Sequence, residues 1–279
     1  MTTSPAHPKP VPKTAAPVFI SEDRTVHTGQ EALRRLAAKS DAASVDPRRG
    51  ITRANRRRWE EAQRYEMRTW MKDFRSATDD RNQDHARGFD GYAALRGASF
   101  AHAIELGCGP FTNIRLIGRV ASVQNIDLLD PLIHAYLDHP NTAYPDGRLR
   151  IDERTQIPAT LHHTSIEDFA PRSRYDLVVM INVLEHCFDA DEIFNRVLEM
   201  TAPGSVFVFH DRYYSAPDLA ASLAAEYDAG HPLRIDQSVI DGFLSENFNS
   251  LYLRTVRFER HKWGGDRSYD GIYFIGRKA

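Results

Sequence analysis

Glu105, Gly107 and Gly109 stand at the end of an apolar run, AHAIELGCGP over 101–110, spaced for backbone contact with a bound ligand. Without a Cβ, such glycines let a tight turn press its backbone against the ligand. A second carboxylate, Asp130, closes the next apolar run, SVQNIDLL, about 20 residues past the turn, where an acidic side chain accepts both hydroxyls of a ribose. Asp127 is the second choice for that contact, because it lies inside the run rather than beyond it. A dinucleotide fingerprint wants a third glycine three residues after Gly109, but Thr112 stands there, so the nicotinamide reading is weakened. His186, His210 and His231 are the candidates for removing a proton from an acceptor. His210 leads because Asp211 adjoins it and a carboxylate raises imidazole basicity; His186 follows. The plainer role for any one of them is a bond to local backbone.

These groups need strands that end at one edge. Ala103, Ile104 and Leu106 suit a buried parallel strand, and Pro110 suits the first position of a helix. The run 122–129 predicts a second strand, and YDLVVMI over 175–181 a buried one that runs into Asn182-Val183-Leu184-Glu185-His186. Asp189, with Glu192 three residues on, predicts a capped helix stopped by Ala202-Pro203-Gly204. A strand over 205–209 leads to His210, Asp211, Tyr213 and Tyr214. Helices are expected over 217–227 and 237–246, joined by His231-Pro232-Leu233-Arg234, then strands over 251–258 and 270–276 with Trp263 between them. This alternation implies an α/β fold with a mostly parallel sheet covered on both faces. Ligands then bind beyond the carboxyl ends of its strands.

Taken in order, ELGCGP, IDLLDPL, SIEDF, YDLVVMINVLEH and APGSVFVF resemble the successive motifs of a class I S-adenosylmethionine-dependent methyltransferase of the small-molecule type. The resemblance runs from about residue 99 to the C-terminus, about two thirds of the chain. It implies a Rossmann-like, doubly wound, seven-stranded, mostly parallel sheet with an N-terminal helical extension, its last strand antiparallel beside the fifth. It implies S-adenosyl-L-methionine as cofactor and S-adenosyl-L-homocysteine as product. Residue by residue, it assigns Glu105 to the methionine amino group, directly or through water, and the backbone of Gly107, Cys108 and Gly109 to the methionine and ribose portion. Asp130 would hold the ribose hydroxyls and Leu132 would pack on the adenine, whose edge falls to Ser165, Ile166 and Glu167. The family often has an acidic residue where Ser165 stands, so backbone groups or Glu167 are alternatives there. Asn182 and Val183 would border the methionine part.

The acceptor is expected to be a small molecule methylated at an O, N or C centre. Two other readings are a nucleic-acid or protein methyltransferase docking through an arginine-rich extension, and a nucleoside-binding module without chemistry. The missing Asp/Asn-Pro-Pro-aromatic loop, replaced by Asn182-Val183-Leu184-Glu185, disfavours adenine-amino methylation of nucleic acid. A formal net charge of -2 offers no bulk attraction for nucleic acid or anionic membrane. Arg48, Arg49, Arg53, Arg56, Arg57 and Arg58 are followed at once by Glu60 and Glu61, the pattern of a salt-bridged helix face.

With 279 residues, 42% hydrophobic, the chain can bury one substantial domain plus an extension. The expected division is a disordered leader over 1–20, a helical extension over 21–98 and the cofactor-binding domain over 99–279. The run 52–74 predicts a helix with Trp59, Tyr65, Met67 and Trp70 on its apolar side, in a position where the resembled family often covers its cofactor pocket; a second helical stretch is expected over 82–95. The only two cysteines, Cys108 and Cys187, make neither a disulfide framework nor a zinc set, so no metal is expected and both are expected to pack. Nothing resembles a membrane span or a signal peptide, and the expected location is cytoplasmic. Tyr213, Tyr214 and Trp263 suit either an acceptor pocket or the core.

Overall fold

The computed structural model describes residues 18–20, 26–28, 43–46, 51–72, 81–214, 229–260 and 267–279. The expected helix over 217–227, Trp263, Arg48, Arg49 and most of the expected leader lie outside these residues. The described chain opens with two short hairpins, β1 (Val18–Ile20) with β2 (Val26–Thr28) and β3 (Ala43–Asp46) with β4 (Ile51–Ala54). Helix α1 (Arg56–Lys72) follows. It starts four residues later than the expected 52, because Thr52 and Arg53 pair with β3 instead. The second helical stretch is broken into α2 (Asn82–Gly88) and a 3-10 turn (Asp90–Leu95), where Gly91 and Tyr92 have positive φ.

Eight strands form the central sheet. In chain order they are β5 (Ser99–Leu106), β6 (Ser122–Leu129), β7 (Arg148–Arg150), β8 (Gln156–His162), β9 (Tyr175–Ile181), β10 (Thr201–Arg212), β11 (Phe248–Arg260) and β12 (Arg267–Lys278). Their spatial order is β11-β12-β10-β9-β5-β6-β8-β7. The five strands from β8 to β10 run parallel, while β12 inserts antiparallel beside β10, as the resemblance implied. The eighth strand, not expected, is the short β7, which pairs antiparallel with β8 at the edge.

The central strands of the sheet are buried on both faces, which is why they read as near-continuous apolar runs. On one face Ile104, Val178, Met180, Phe207 and Phe209 pack with α5 (Ala190–Met200) and α6 (Gln237–Asn247). On the other, Ala103, Leu128, Leu177, Val179 and Val208 pack with α3 (Ile114–Ile117) and with Phe89, Tyr92 and Leu95. Asp189 caps α5 as expected, accepting from the amides of Asp191 and Glu192. Pro110 does not open α3. That helix starts at Ile114 behind Asn113, and Pro110 lies in the preceding turn. After β6 the chain forms α4 (Ile133–Leu137). Among the described residues no helix is long and apolar enough to cross a membrane.

Candidate functional site

The carboxyl ends of β5, β6, β9 and β10 bring the singled-out residues to one edge. At the end of β5, Gly107 has φ +65° and Gly109 φ +54°, the left-handed region that glycine enters at little cost. The two glycines differ in surroundings. A Cβ at Gly107 would lie 2.6 Å from both methyls of Val183, whereas one at Gly109 would meet nothing within 4 Å. Gly109 is therefore the open side of the turn, and Gly107 packs it against the end of β9. The Gly107 and Cys108 amides donate to the Leu129 carbonyl, at 2.8 and 3.2 Å. Gly109 donates instead to Asp130, at 3.1 Å, and the other Asp130 oxygen accepts from Leu132 at 2.8 Å. Burial pushes the Asp130 carboxyl up to about 6.

Glu105 is fully buried, and both of its oxygens face the start of α3. They accept from the Thr112 hydroxyl, from the Asn113 amide at 2.7 and 2.9 Å, from its side chain at 3.0 Å and from the Ile114 amide at 2.9 Å. Its first task is thus to cap α3 and brace the glycine turn. Asp127, the second choice for a ribose contact, is engaged within the sheet. It accepts from Tyr175 at 2.7 Å and lies 3.1 and 3.4 Å from His162 and His102 Nε2. Asp130 is the carboxylate at the edge.

In the loop after β8, Ser165 donates to Asp168 at 3.0 Å. Glu167 accepts from the Phe188 and Asp189 amides at 2.7 and 3.2 Å, and burial raises its carboxyl. Ile166 is buried in the core, and Leu132 packs against the opposite cluster. After β9, Asn182 adopts φ +59°, uncommon for a residue with a side chain, and donates its amide to the His210 carbonyl at 2.7 Å. The amides of Val183 and Leu184 donate to Asp211 at 3.2 and 2.8 Å. Both cysteines are buried, and burial raises both thiols.

The expected His210–Asp211 pair is not formed. Adjacent residues of a strand point to opposite faces, and here Asp211 turns to the Val183–Leu184 backbone while His210 Nδ1 donates to the Ile272 carbonyl at 2.8 Å. His210 stacks on Tyr273 at 4.0 Å between centroids and lies 4.7 Å from His85 of α2. Burial holds its pKa down to about 4, so the ring is neutral near pH 7. His186 and His231 do meet, with ring centroids 4.6 Å apart.

Glu185, passed over in the sequence, is the hub beside them. It pairs with Arg212, accepts from Tyr214 at 2.5 Å and lies 3.4 Å from His231 Nε2. Burial opposes its charge, yet Arg212, then His231 and His186, hold its carboxyl well below the usual range. Tyr214 is thereby a core residue, as is Tyr213, which donates to Asp241 at 2.5 Å.

Helix α1 covers this edge. Trp70 meets Phe111 beside the glycine turn, Gln63 donates to the His186 carbonyl at 3.2 Å, and Trp59 packs edge-on to Phe188 at 5.3 Å. Several arginines here are paired with the body of the protein: Arg53 of β4 binds Asp191, and from α1 Arg56 binds Asp168 at 2.6 Å and Arg58 donates to the Ala229 carbonyl at 2.8 Å, while Arg57 faces Glu61 of its own helix at 3.4 Å. Glu66, also overlooked, faces inward from the same helix toward His186, 3.8 Å away. The signal for it was a carboxylate inside the covered stripe formed by Trp59, Ala62, Gln63 and Trp70.

A mostly parallel sheet with this strand order, whose glycine turn opens at Gly109 beside a buried carboxylate, has the form of a nucleoside-binding edge. The methyltransferase-domain family model matches residues 59–235. This chain belongs to that family, as a class I S-adenosylmethionine-dependent member. Among solved structures it is similar to the N-methyltransferase NodS of Bradyrhizobium japonicum WM9 in complex with S-adenosyl-L-homocysteine, at 16% identity and TM-score 0.53, over 78% of this chain and 98% of that one. It is also similar to a SAM-dependent methyltransferase of Leishmania major, at 17% identity and TM-score 0.50, over 96% of this chain and 100% of that one. At such identities the likeness is one of fold. No curated protein matches the sequence.

Proposed function

We propose that this enzyme methylates a small molecule held at the strand edge beneath α1, with S-adenosylmethionine in the cradle formed by the glycine turn and Asp130. The observation that carries the small-molecule reading is the pairing of Arg53 of β4 and of Arg56 and Arg58 of α1 with Asp191, Asp168 and the Ala229 carbonyl, which ties part of the arginine cluster to the domain beside the site instead of leaving it as a free basic docking face. NodS, of the same fold, was solved with S-adenosyl-L-homocysteine, which agrees with this cofactor.

Asp130 is assigned the ribose hydroxyls, since its carboxylate retains acceptor capacity beyond its two amide donors. The open side of Gly109 admits the ligand, with Cys108 and Gly107 lining the turn. Glu105 is committed to α3, so its reach to the methionine amino group is through water. Leu132 and Ile166 offer apolar contact for the adenine. Because Ser165 and Glu167 direct their side chains into protein bonds, the adenine edge is assigned to backbone groups of that loop. Asn182 and Val183 border the methionine portion.

When bound, S-adenosylmethionine supplies a methyl group on a sulfonium, already joined to a good leaving group. What the chain adds is alignment of the acceptor, an effect worth about 7–11 kcal/mol for well-placed reactants. His210 is a weak base at the pKa its burial imposes, so it serves as a wall of the acceptor side, stacked with Tyr273, and alignment carries the rate.

The test is to incubate the enzyme with methyl-labelled S-adenosylmethionine and a cell extract separated into low-mass, protein and nucleic-acid fractions. Label is expected in the low-mass fraction. Label in either polymer fraction would overturn the small-molecule reading.

A further inference from the structure

Helix α1 turns one line of side chains toward the strand edge. Gln63, Glu66 and Trp70 are spaced three and four residues apart and so share a face of the helix. Gln63 is anchored to the His186 carbonyl beyond β9, and Trp70 meets Phe111 beside the glycine turn that ends β5. Glu66 therefore stands between an anchor at each strand end, on the side of α1 that faces the cradle. Its charge is felt on both flanks. It lies 3.8 Å from His186 Nδ1, and burial raises the Asp130 carboxyl and the Tyr136 hydroxyl with the Glu66 charge adding to the rise in each.

That carboxylate is poorly compensated. Only 17% of its side chain is exposed, and His186 is its sole ion-pair partner among the described residues. The nitrogen that faces it is already engaged, because His186 Nδ1 donates to the Gly230 carbonyl at 2.9 Å. Glu66 Oε1 rests in the space that a Cβ on Gly230 would fill. A covered carboxylate in that position, with a second one at Asp130, favours a cationic ligand, since each charge is costly to bury and the two repel.

The sulfur of S-adenosylmethionine joins its ribose to its methionine portion, the first assigned to Asp130 and the second to Asn182 and Val183, in the loop that leads to His186. We propose that Glu66 is the counter-charge for the sulfonium of the donor, so that the site prefers S-adenosylmethionine to its product. The inference rests on the cofactor reading given above. S-adenosyl-L-homocysteine has the same adenine, ribose, ammonium and carboxylate but an uncharged thioether, so Glu66 attracts the donor and not the spent form. Because the attraction ends once the methyl group has been passed on, it favours exchange of product for fresh donor.

The test is calorimetry on the full chain, wild type and Glu66→Gln, with S-adenosylmethionine and with S-adenosyl-L-homocysteine, no acceptor being present. Glu66→Gln is isosteric and keeps the Trp59, Ala62 and Trp70 stripe of α1. It should weaken S-adenosylmethionine binding by about tenfold and change S-adenosyl-L-homocysteine binding by less than about twofold. The second ligand also reports that the variant is folded with its cradle intact. An equal loss for both ligands would overturn the proposal, since a structural role or a contact to the shared ammonium would weaken both. No loss for either would overturn it as well. Asp130→Ala with undiminished S-adenosyl-L-homocysteine affinity would overturn the cradle, and this assignment with it, whereas the two Glu66 outcomes leave the cradle standing.

Discussion

The Gly109 amide donates to the Asp130 carboxylate across 3.1 Å, so the residue that ends β6 holds the turn that ends β5. Asp130 therefore shapes the cradle as well as offering a ligand contact. Asp130→Ala should weaken S-adenosyl-L-homocysteine binding by about 1.5–3 kcal/mol, the scale of hydrogen bonds to a charged group, as read by calorimetry.

The same carboxylate carries a pH signature. Burial raises it from 3.8 to about 6, so the folded protein takes up this proton more readily than the unfolded chain. The stabilising contribution is full below about pH 4 and is lost as pH rises through about 6. Without ligand, Asp130→Asn loses one of the two amide bonds but is uncharged throughout, so wild type should lose melting temperature relative to it as pH rises from about 4 through about 6. A wild type that instead gains on the variant as pH rises through that range would contradict this.

The two glycines separate folding from binding. Gly107→Ala sets a Cβ against Val183 and should lower the melting temperature markedly. Gly109→Ala meets no neighbour and costs about 1–2 kcal/mol for its left-handed backbone, so it should fold. It should nevertheless lose most cofactor affinity, because its methyl occupies the open side of the turn. Melting and calorimetry on the same two variants check both halves.

Which parts of this were legible in the sequence depends on how local their causes are. The strand over Ser122–Leu129 was read at its true bounds, because a buried parallel strand leaves an apolar run closed by Asp130-Pro131. Strand β8, QIPATLH, was missed because its half-buried positions break the apolar run and Pro158 argues against a strand. For His210 and Asp211, adjacency in a strand says that they can point apart but not where each one goes, and the partners of Asp211 at Val183 and Leu184 come from a distant loop. The cluster of Glu66, Glu185, His186 and His231 had no spacing to read, being assembled by the packing of α1 on the sheet edge.

Breaking the buried hub has a calculable cost. Arg212→Met leaves Glu185 charged and 4% exposed without its guanidinium, a change worth about 3–5 kcal/mol in urea unfolding. The Glu185 carboxyl is lowered in the folded state, so this stability is present above its unfolded value of 4.5 and is lost on acidification below it. The difference between wild type and Arg212→Met should accordingly narrow in acid.

His210 distinguishes alignment from base catalysis. Loss of a general base lowers turnover by about 100- to 10,000-fold. With His210 buried and its pKa down to about 4, His210→Asn should lower turnover by less than about tenfold on the true acceptor. A loss in the larger range would return the base role to His210.

The most direct measurement is a crystal structure of the complex with S-adenosyl-L-homocysteine. The ribose hydroxyls should lie on Asp130, the methionine portion over Gly109 with Asn182 and Val183 alongside, and α1 above the thioether. A ribose bound at Asp127, or a ligand away from the glycine turn, would contradict the account.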